Sequence, residues 1–571
     1  MTLGAKKVYN IVWMLFLAIA LFLYFYSNLE NISIVWELPD EVGYLYNAAF
    51  LAGKDWSGYA DFIDVYYGYG YSLILIPLFF ICDTGSEIIK MAILINYIIV
   101  ILTYFIQVYI LKKIFHKQNS YVIALVAFIL NFFPYVVASA NKVICEVFLN
   151  FQIWLIALFF YKLVVTKRKM YCVILGALAA FIYYTHARAI AVAVTVFALM
   201  ILFSVIIKRK KYIIYFGVSI GIFYIICYKV RGGIFSSLYS GVAESGQIGN
   251  VLNSNYIIQR ILWLINFSNI KAYILNAFCK LFYIITASAL TAIYAFAHIG
   301  KVVLKEIKRI KIWSPDKYLL LYFSSTFAVM FVLCCISGDG FDFASVFYGR
   351  YIEYVVSPLI GIGLLAYLET DNVKNKFLPC LMILTIGVLT SQKLIFLDSS
   401  NIGVDTSRIA GFSYWITKND NSYTFIYSQT LLLIIGFLLL CFLKKFQRLD
   451  KAILALVLSV FLLNDQKGID KINGVHRGNK IEIEMADYIN SIREDEIVYF
   501  INRDYSYIGT CTRMQVLLLN ESMVVLSMDD YTDYIKENAY IIAYAQSKTD
   551  GELSERYSFV LNKGQYNLYH N

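Results

Sequence analysis

The sequence predicts a polytopic α-helical membrane protein with a small external α/β domain at its C-terminal end. Three observations carry that reading. Of 571 residues, 60% are apolar, 15% are charged and only 6 are proline, a balance that ordinary soluble domains do not show. Apolar runs of about 17 to 25 residues, each able to cross about 30 Å of hydrocarbon, recur up to residue 465. Between them Lys and Arg gather in short clusters. The formal net charge of +10 is therefore a set of topology signals and not a nucleic-acid footprint.

The first span, residues 8–26, follows Lys6 and Lys7. It is too long for a signal-peptide core, has no small-residue cleavage site, and is expected to remain as a helix. Counting onward gives about thirteen spans. Lys112, Lys113 and Lys117 follow the second, Lys167, Arg168 and Lys169 the fourth, and Lys208 to Lys211 the sixth. Lys301, Lys305, Lys308, Arg309 and Lys311 follow the eighth, Lys374 and Lys376 the tenth, and Lys444, Lys445 and Arg448 the twelfth. All fall on the side where the chain begins, which the positive-inside rule makes cytoplasmic. The composition suits a bacterial plasma membrane.

Beyond residue 465 the pattern changes. The runs EIVYFI, MVVLSM and AYIIAYA alternate with helix-like segments, predicting an α/β domain of roughly 100 residues. The expected division is 1–465 for the membrane domain and 466–571 for this extracytoplasmic unit. It holds no phosphate loop, nucleophile elbow or metal-ligand spacing, so it is expected to cover the active face or contact an acceptor. The 10 cysteines are scattered without a CxxC pair, and neither a disulfide framework nor a zinc site is expected.

The odd-numbered loops then face outward and hold the unusual polar residues. External loop 27–86 carries the adjacent Asp40 and Glu41. A carboxylate after Pro39 caps the helix that follows, but one cap uses one carboxylate and the sequence supplies two. Tyr66, Tyr67, Tyr69 and Tyr71 form either an aromatic belt or a wall on which a sugar or polyisoprenoid stacks. The apolar segment ending near Cys82 is too short to span and reads as reentrant or juxtamembrane.

The Asp-Glu pair after the first span, the Tyr-rich helix ending AAFLAG and the segment YYGYGYSLILIPLF resemble the GT-C glycosyltransferases. The likeness is greatest to protein O-mannosyltransferases and lipid A aminoarabinose transferases, and it runs in motif order over residues 8–370. It implies an enzyme that moves a sugar, with inversion, from a polyprenyl-phosphate donor to a hydroxyl of a glycan, lipid or protein acceptor. The reaction would occur at the outer membrane face without a nucleotide cofactor. Asp40 maps onto the family's catalytic base and Glu41 onto the second member of its acidic pair.

Such chemistry calls for arginine, which stays charged near lipid and grips phosphate in bidentate geometry. Arg350, in VFYGRYIEY with Tyr348 and Tyr351 beside it, is expected to hold the donor phosphate; an internal bridge to Glu353 is the plainer alternative. Arg188, in YYTHARAIAVAV, is the second such candidate, and snorkelling to anionic lipid is its alternative. Glu146 reads as a second active-site acid, as a metal ligand with Asp40, or as a helix cap. Three or more oxygen ligands are normally needed for a divalent ion, so metal use stays open. His186 is expected to be a structural partner in this polar layer. Asn96, Asn131 and Asn150 read as interhelical hydrogen-bond glue. The Gly- and Ser-rich segment 231–250 is expected to be a lid over the donor or a loose loop. A flippase for lipid-linked glycans is the rival, and it would bury charge at mid-membrane instead of at one face. A noncatalytic scaffold is the third reading.

Overall fold

The computed structural model describes residues 3–35, 40–54, 56, 68–238, 262, 267–304, 313–337, 343–370, 376–396, 408–412, 421–446, 451–478, 480–492, 496–503, 508–519 and 523–571. Helix α1 (Leu3–Leu29) precedes the short α2 (Asp40–Leu51), two single turns α3 (Ser72–Leu75) and α4 (Leu78–Ile81), and the long α5 (Gly85–Ile114). Thr84 fixes the start of α5 with a capping box. Its hydroxyl accepts the Glu87 N–H at 3.2 Å, and the Glu87 carboxylate accepts the Thr84 N–H at 3.3 Å.

The third expected span is two helices, α6 (Ser120–Leu130) and α7 (Pro134–Ala140), meeting at 59°. Pro134 stands at the start of α7, where its missing N–H is harmless, whereas one continuous helix through it would lose a hydrogen bond. Next come α8 (Glu146–Thr166), α9 (Met170–Thr185), α10 (Ile190–Ile206) and α11 (Lys211–Leu238). α12 (Phe267–Ala287) turns at Ala289 and Leu290 into α13 (Thr291–Ile299). α14 (Pro315–Ser337), α15 (Phe343–Phe347), α16 (Glu353–Glu369), α17 (Phe377–Phe396), α18 (Ser422–Leu443) and α19 (Ala452–Gly478) complete the bundle.

Among the described residues, 10 helices are long and apolar enough to cross a membrane, and the bent pair α6 and α7 makes 11. The two further expected spans are α9, of 16 residues, and α16, of 17. Burial separates centre from rim. In α8, 67% of the most apolar stretch is buried inside the protein, against 22% in α1, so α8 stands in the middle and α1 turns most of its surface to lipid.

The expected boundary at 465/466 falls inside the unbroken α19. Beyond it lie α20 (Lys480–Ile492), β1 (Ile497–Ile501), α21 (Ile508–Leu518), β2 (Met523–Leu526), β3 (Ala539–Tyr544), α22 (Lys548–Arg556), β4 (Ser558–Lys563) and β5 (Tyr566–His570). The sheet order is β2-β1-β3-β5-β4. β1 pairs in parallel with β2 and β3, while β5 runs antiparallel to β3 and β4. The helix α21 carries the chain back to the end of the sheet where β1 began, so β2 runs parallel to β1. This domain docks on the loop that carries the acidic pair. The indole of Trp56, only 1% exposed, donates to the Leu519 carbonyl at 3.0 Å. Gly85, at the head of α5, lies so close to the Val516 carbonyl that a Cβ there would overlap it.

Candidate active site

Four sequence-distant elements bring their charged residues to one point. Asp40 opens α2, where a carboxylate faces the positive end of the helix dipole. Glu146 opens α8 and is fully buried. Arg188 sits in the 3-10 turn Ala187–Ala189 that follows α9. Arg350 sits in a second 3-10 turn, Gly349–Tyr351, ahead of α16.

One oxygen of Glu146 accepts from Nη2 of Arg188 at 2.6 Å and from Nε of Arg350 at 2.7 Å. Arg350 also reaches out with Nη1 to Oδ2 of Asp40. The result is a chain, Arg188, Glu146, Arg350, Asp40, with two charges of each sign. Both arginine side chains are 6% exposed and Glu146 is 0% exposed, whereas Asp40 is 21% exposed. Asp40 is thus the outermost member of the chain. Within the chain two buried atoms, Oε2 of Glu146 and Nε of Arg188, have no hydrogen-bond partner; such orphans are rare in native interiors.

The acidic pair divides its work. Glu41 turns inward, 2% exposed, and accepts the Val143 N–H at 2.7 Å. It ties α2 to the loop that ends at Glu146. That loop is also held by Asn96, whose Nδ2 donates to the Lys142 carbonyl at 2.7 Å and whose Oδ1 accepts from Tyr71 at 2.9 Å. Tyr97 donates to Asn141 at 2.7 Å. Asn131 bonds Gln107 at 2.8 Å. Tyr71 and Tyr69 are buried, the latter donating to the Cys227 carbonyl at 3.0 Å. Tyr66, Tyr67 and residues 239–250 of the expected lid lie outside the described residues.

Arg350 turns away from Glu353, so the internal bridge weighed above is replaced. Tyr283 donates to Glu353 and in turn accepts the Gly411 N–H at 3.0 Å. Gly349 makes this possible, because a Cβ there would overlap the Tyr283 ring. The backbone N–H of Arg350 donates to the Arg408 carbonyl at 3.2 Å. The Arg188 guanidinium lies 4.9 Å from the Tyr351 ring centroid and 5.7 Å from that of Tyr354, a cation–π arrangement that orients it. Tyr348 and Tyr351 stand side by side, their rings 4.2 Å apart. Nδ1 of His186 accepts the Arg188 N–H at 3.3 Å and starts the turn. Sequence reasoning missed Tyr283, Tyr354 and Arg408. The tyrosines are two of 48 and carry no local signal, whereas Arg408 is a lone cation in a polar loop and offered one. Among the described residues, no group of three or more His, Cys, Asp and Glu side chains is placed to hold a metal ion.

No family model matches the chain, and no curated protein matches it by sequence. Its fold is similar to the crystal structure of ArnT from Cupriavidus metallidurans bound to undecaprenyl phosphate. The TM-score is 0.54 at 12% identity, over 98% of this chain and 97% of that one. The apo state of the same protein gives 0.50 at 11% identity over the same shares. The chain is a multi-pass membrane protein with the ArnT-like GT-C fold.

Proposed function

We propose that the chain is an inverting glycosyltransferase, moving a sugar from a polyprenyl-phosphate donor to a hydroxyl acceptor at the outer face of a bacterial plasma membrane. The observation that carries this reading is the chain Arg188, Glu146, Arg350, Asp40, buried at Glu146 and most exposed at Asp40. The ArnT likeness supplies the fold, and the undecaprenyl phosphate bound to that protein motivates the donor class.

The chemistry proceeds in one displacement. The acceptor oxygen attacks the anomeric carbon and its proton passes to the Asp40 carboxylate. The carbon–oxygen bond to phosphate breaks, and the electron pair leaves with polyprenyl phosphate. A positioned base of this kind supplies about 10² to 10⁴ in rate. Arg350 and Arg188 meet the phosphate charge, which develops further as the bond breaks. Glu146 holds both guanidinium groups in register, and Glu41 holds the loop that carries Glu146. Arg350 bonds Asp40 in the structure, so an arriving phosphate competes for Arg350 and frees Asp40 to act as base. Tyr348 and Tyr351 offer aromatic surface for the sugar, and the C-terminal domain covers the loop bearing Asp40.

Purified protein incubated with radiolabelled polyprenyl-phosphate sugars and candidate acceptors tests the assignment. Product from a lipid-phosphate donor, and none from nucleotide sugars, is expected. Transfer from nucleotide sugars alone, or from no donor across a broad panel, contradicts it.

A further inference from the structure

We propose that the end of the bundle opposite the charge chain binds an anionic phospholipid headgroup, held between the turn from α8 to α9 and the turn from α10 to α11. This site is independent of the transferase reading. α8 begins at Glu146 and ends at Thr166, about 30 Å farther along the helix. Lys167, Arg168 and Lys169 follow it, and Lys208, Arg209, Lys210 and Lys211 stand between the body of α10 and that of α11. Each of these cations is exposed, and the sequence has no Asp or Glu between Glu146 and Glu244. The neighbouring α14, whose Tyr318 ring meets Phe203 of α10 edge-on at 5.8 Å, brings Asp316 to this end with Lys317 beside it.

A topology signal needs charge but no fixed shape. Here the fold fixes the shape. The buried Tyr212 donates its hydroxyl to the Lys167 carbonyl and accepts from Nη1 of Arg209 at 3.0 Å, so one side chain staples the two turns together. The Lys169 ammonium lies 5.1 Å from the Tyr215 ring centroid. Gly176 lets α9 and α11 approach, because a Cβ there would overlap the Phe216 carbonyl. Other cations at this end are spent on the protein: Lys112 donates to the His116 carbonyl and Lys444 to the Leu368 carbonyl, each at 3.2 Å. The side chains of Lys167, Arg168, Lys208, Lys210 and Lys211 make no hydrogen bond or ion pair among the described residues.

Helix dipoles explain part of the cluster, since Lys167 and Lys208 follow helix C-termini, where positive charge is favourable. Lys169, Lys210 and Lys211 stand instead at the starts of α9 and α11, where it is unfavourable, and neither helix has an acidic residue in its first turn. Such a cluster repels itself until an anion joins it. Val165, Met170, Val205 and Ile214 are exposed, one at each of the four helix ends and each within three positions of a cation. Cations flanked by exposed apolar side chains match a phosphate that carries acyl chains, whereas a soluble phosphate uses the cations alone.

The test is native mass spectrometry of the purified full chain titrated with phosphatidylglycerol or phosphatidylcholine in one detergent. Phosphatidylglycerol is expected to bind more tightly. Lys210→Gln combined with Lys211→Gln, which leaves Lys208 and Arg209 to hold the topology, is expected to weaken phosphatidylglycerol about 30-fold, a factor of about five for each charge, and to leave phosphatidylcholine unchanged. Tyr212→Phe, which keeps every charge and cuts the staple, is expected to weaken phosphatidylglycerol as well. Lys445→Gln combined with Lys451→Gln removes two exposed cations outside the two turns and is expected to bind as wild type does. Equal wild-type affinity for the two lipids overturns the proposal, and so does a loss in the Lys445 and Lys451 pair as large as that in the Lys210 and Lys211 pair. Displacement of phosphatidylglycerol by millimolar inorganic phosphate would assign the cluster to free phosphate and overturn the lipid assignment.

Discussion

Glu146→Gln tests the buried charge chain most severely. The wild-type side chain has no exposure and accepts two charged N–H groups on one oxygen. Four members give two negative and two positive charges, so the substitution leaves one guanidinium uncompensated. Removing one partner of a buried ion pair costs about 3–5 kcal/mol, most of it from the charge left behind. The amide keeps an acceptor oxygen, which places the expected loss toward the lower end of that range. Adding Arg188→Gln restores balance, leaving Arg350 against Asp40. The double variant should then be more stable than the sum of the two single losses predicts, with a coupling of about 1–3 kcal/mol. Thermal unfolding of the four proteins in one detergent, with folded yield recorded, reads the cycle. Single losses that add within about 0.5 kcal/mol would refute the shared-carboxylate argument.

Three further outcomes follow from the packing. Gly349→Ala drives a methyl group into the Tyr283 ring; overpacking of this kind costs about 1–3 kcal/mol, measured as a lower unfolding midpoint. Trp56→Phe removes the bond to the buried Leu519 carbonyl, and limited proteolysis should cut the C-terminal domain faster than in wild type. Outside the membrane helices, burial raises the carboxyl of Glu482 above the ordinary carboxylate range. The folded domain therefore favours its neutral form, so stability is full below that range and declines as pH rises through the raised value. Glu482→Gln should flatten this slope in a pH series of unfolding midpoints.

Much of this was legible because charge is scarce in the sequence. Asp40, Glu146, Arg188 and Arg350 each interrupt apolar or aromatic surroundings, and a charge kept there points to a partner or a task. What could not be read was the pairing. Glu146 meets Arg188 across 42 positions and Arg350 across 204, and no local pattern encodes such separations. Arg350 and Glu353 suggested an i, i+3 bridge, but a 3-10 turn ahead of α16 directs the guanidinium to the other side, and Tyr283 takes the glutamate. The bend at Pro134 escaped for a similar reason: hydropathy counts apolar length and is blind to direction. Glu41 looked like a partner in catalysis by its adjacency to Asp40. Successive helical residues point about 100° apart, which sends one carboxylate to the site and the other into the core.

The transferase account rests on the pair formed by Asp40 and Arg350, and Asp40→Asn separates its two roles. Transfer from the polyprenyl-phosphate donor and binding of polyprenyl phosphate would be measured on the same preparation. The account predicts turnover reduced by about 10² to 10⁴, with lipid phosphate bound as tightly as in wild type or more tightly, since Arg350 no longer has Asp40 as a competitor. Turnover at the wild-type rate in Asp40→Asn would contradict it.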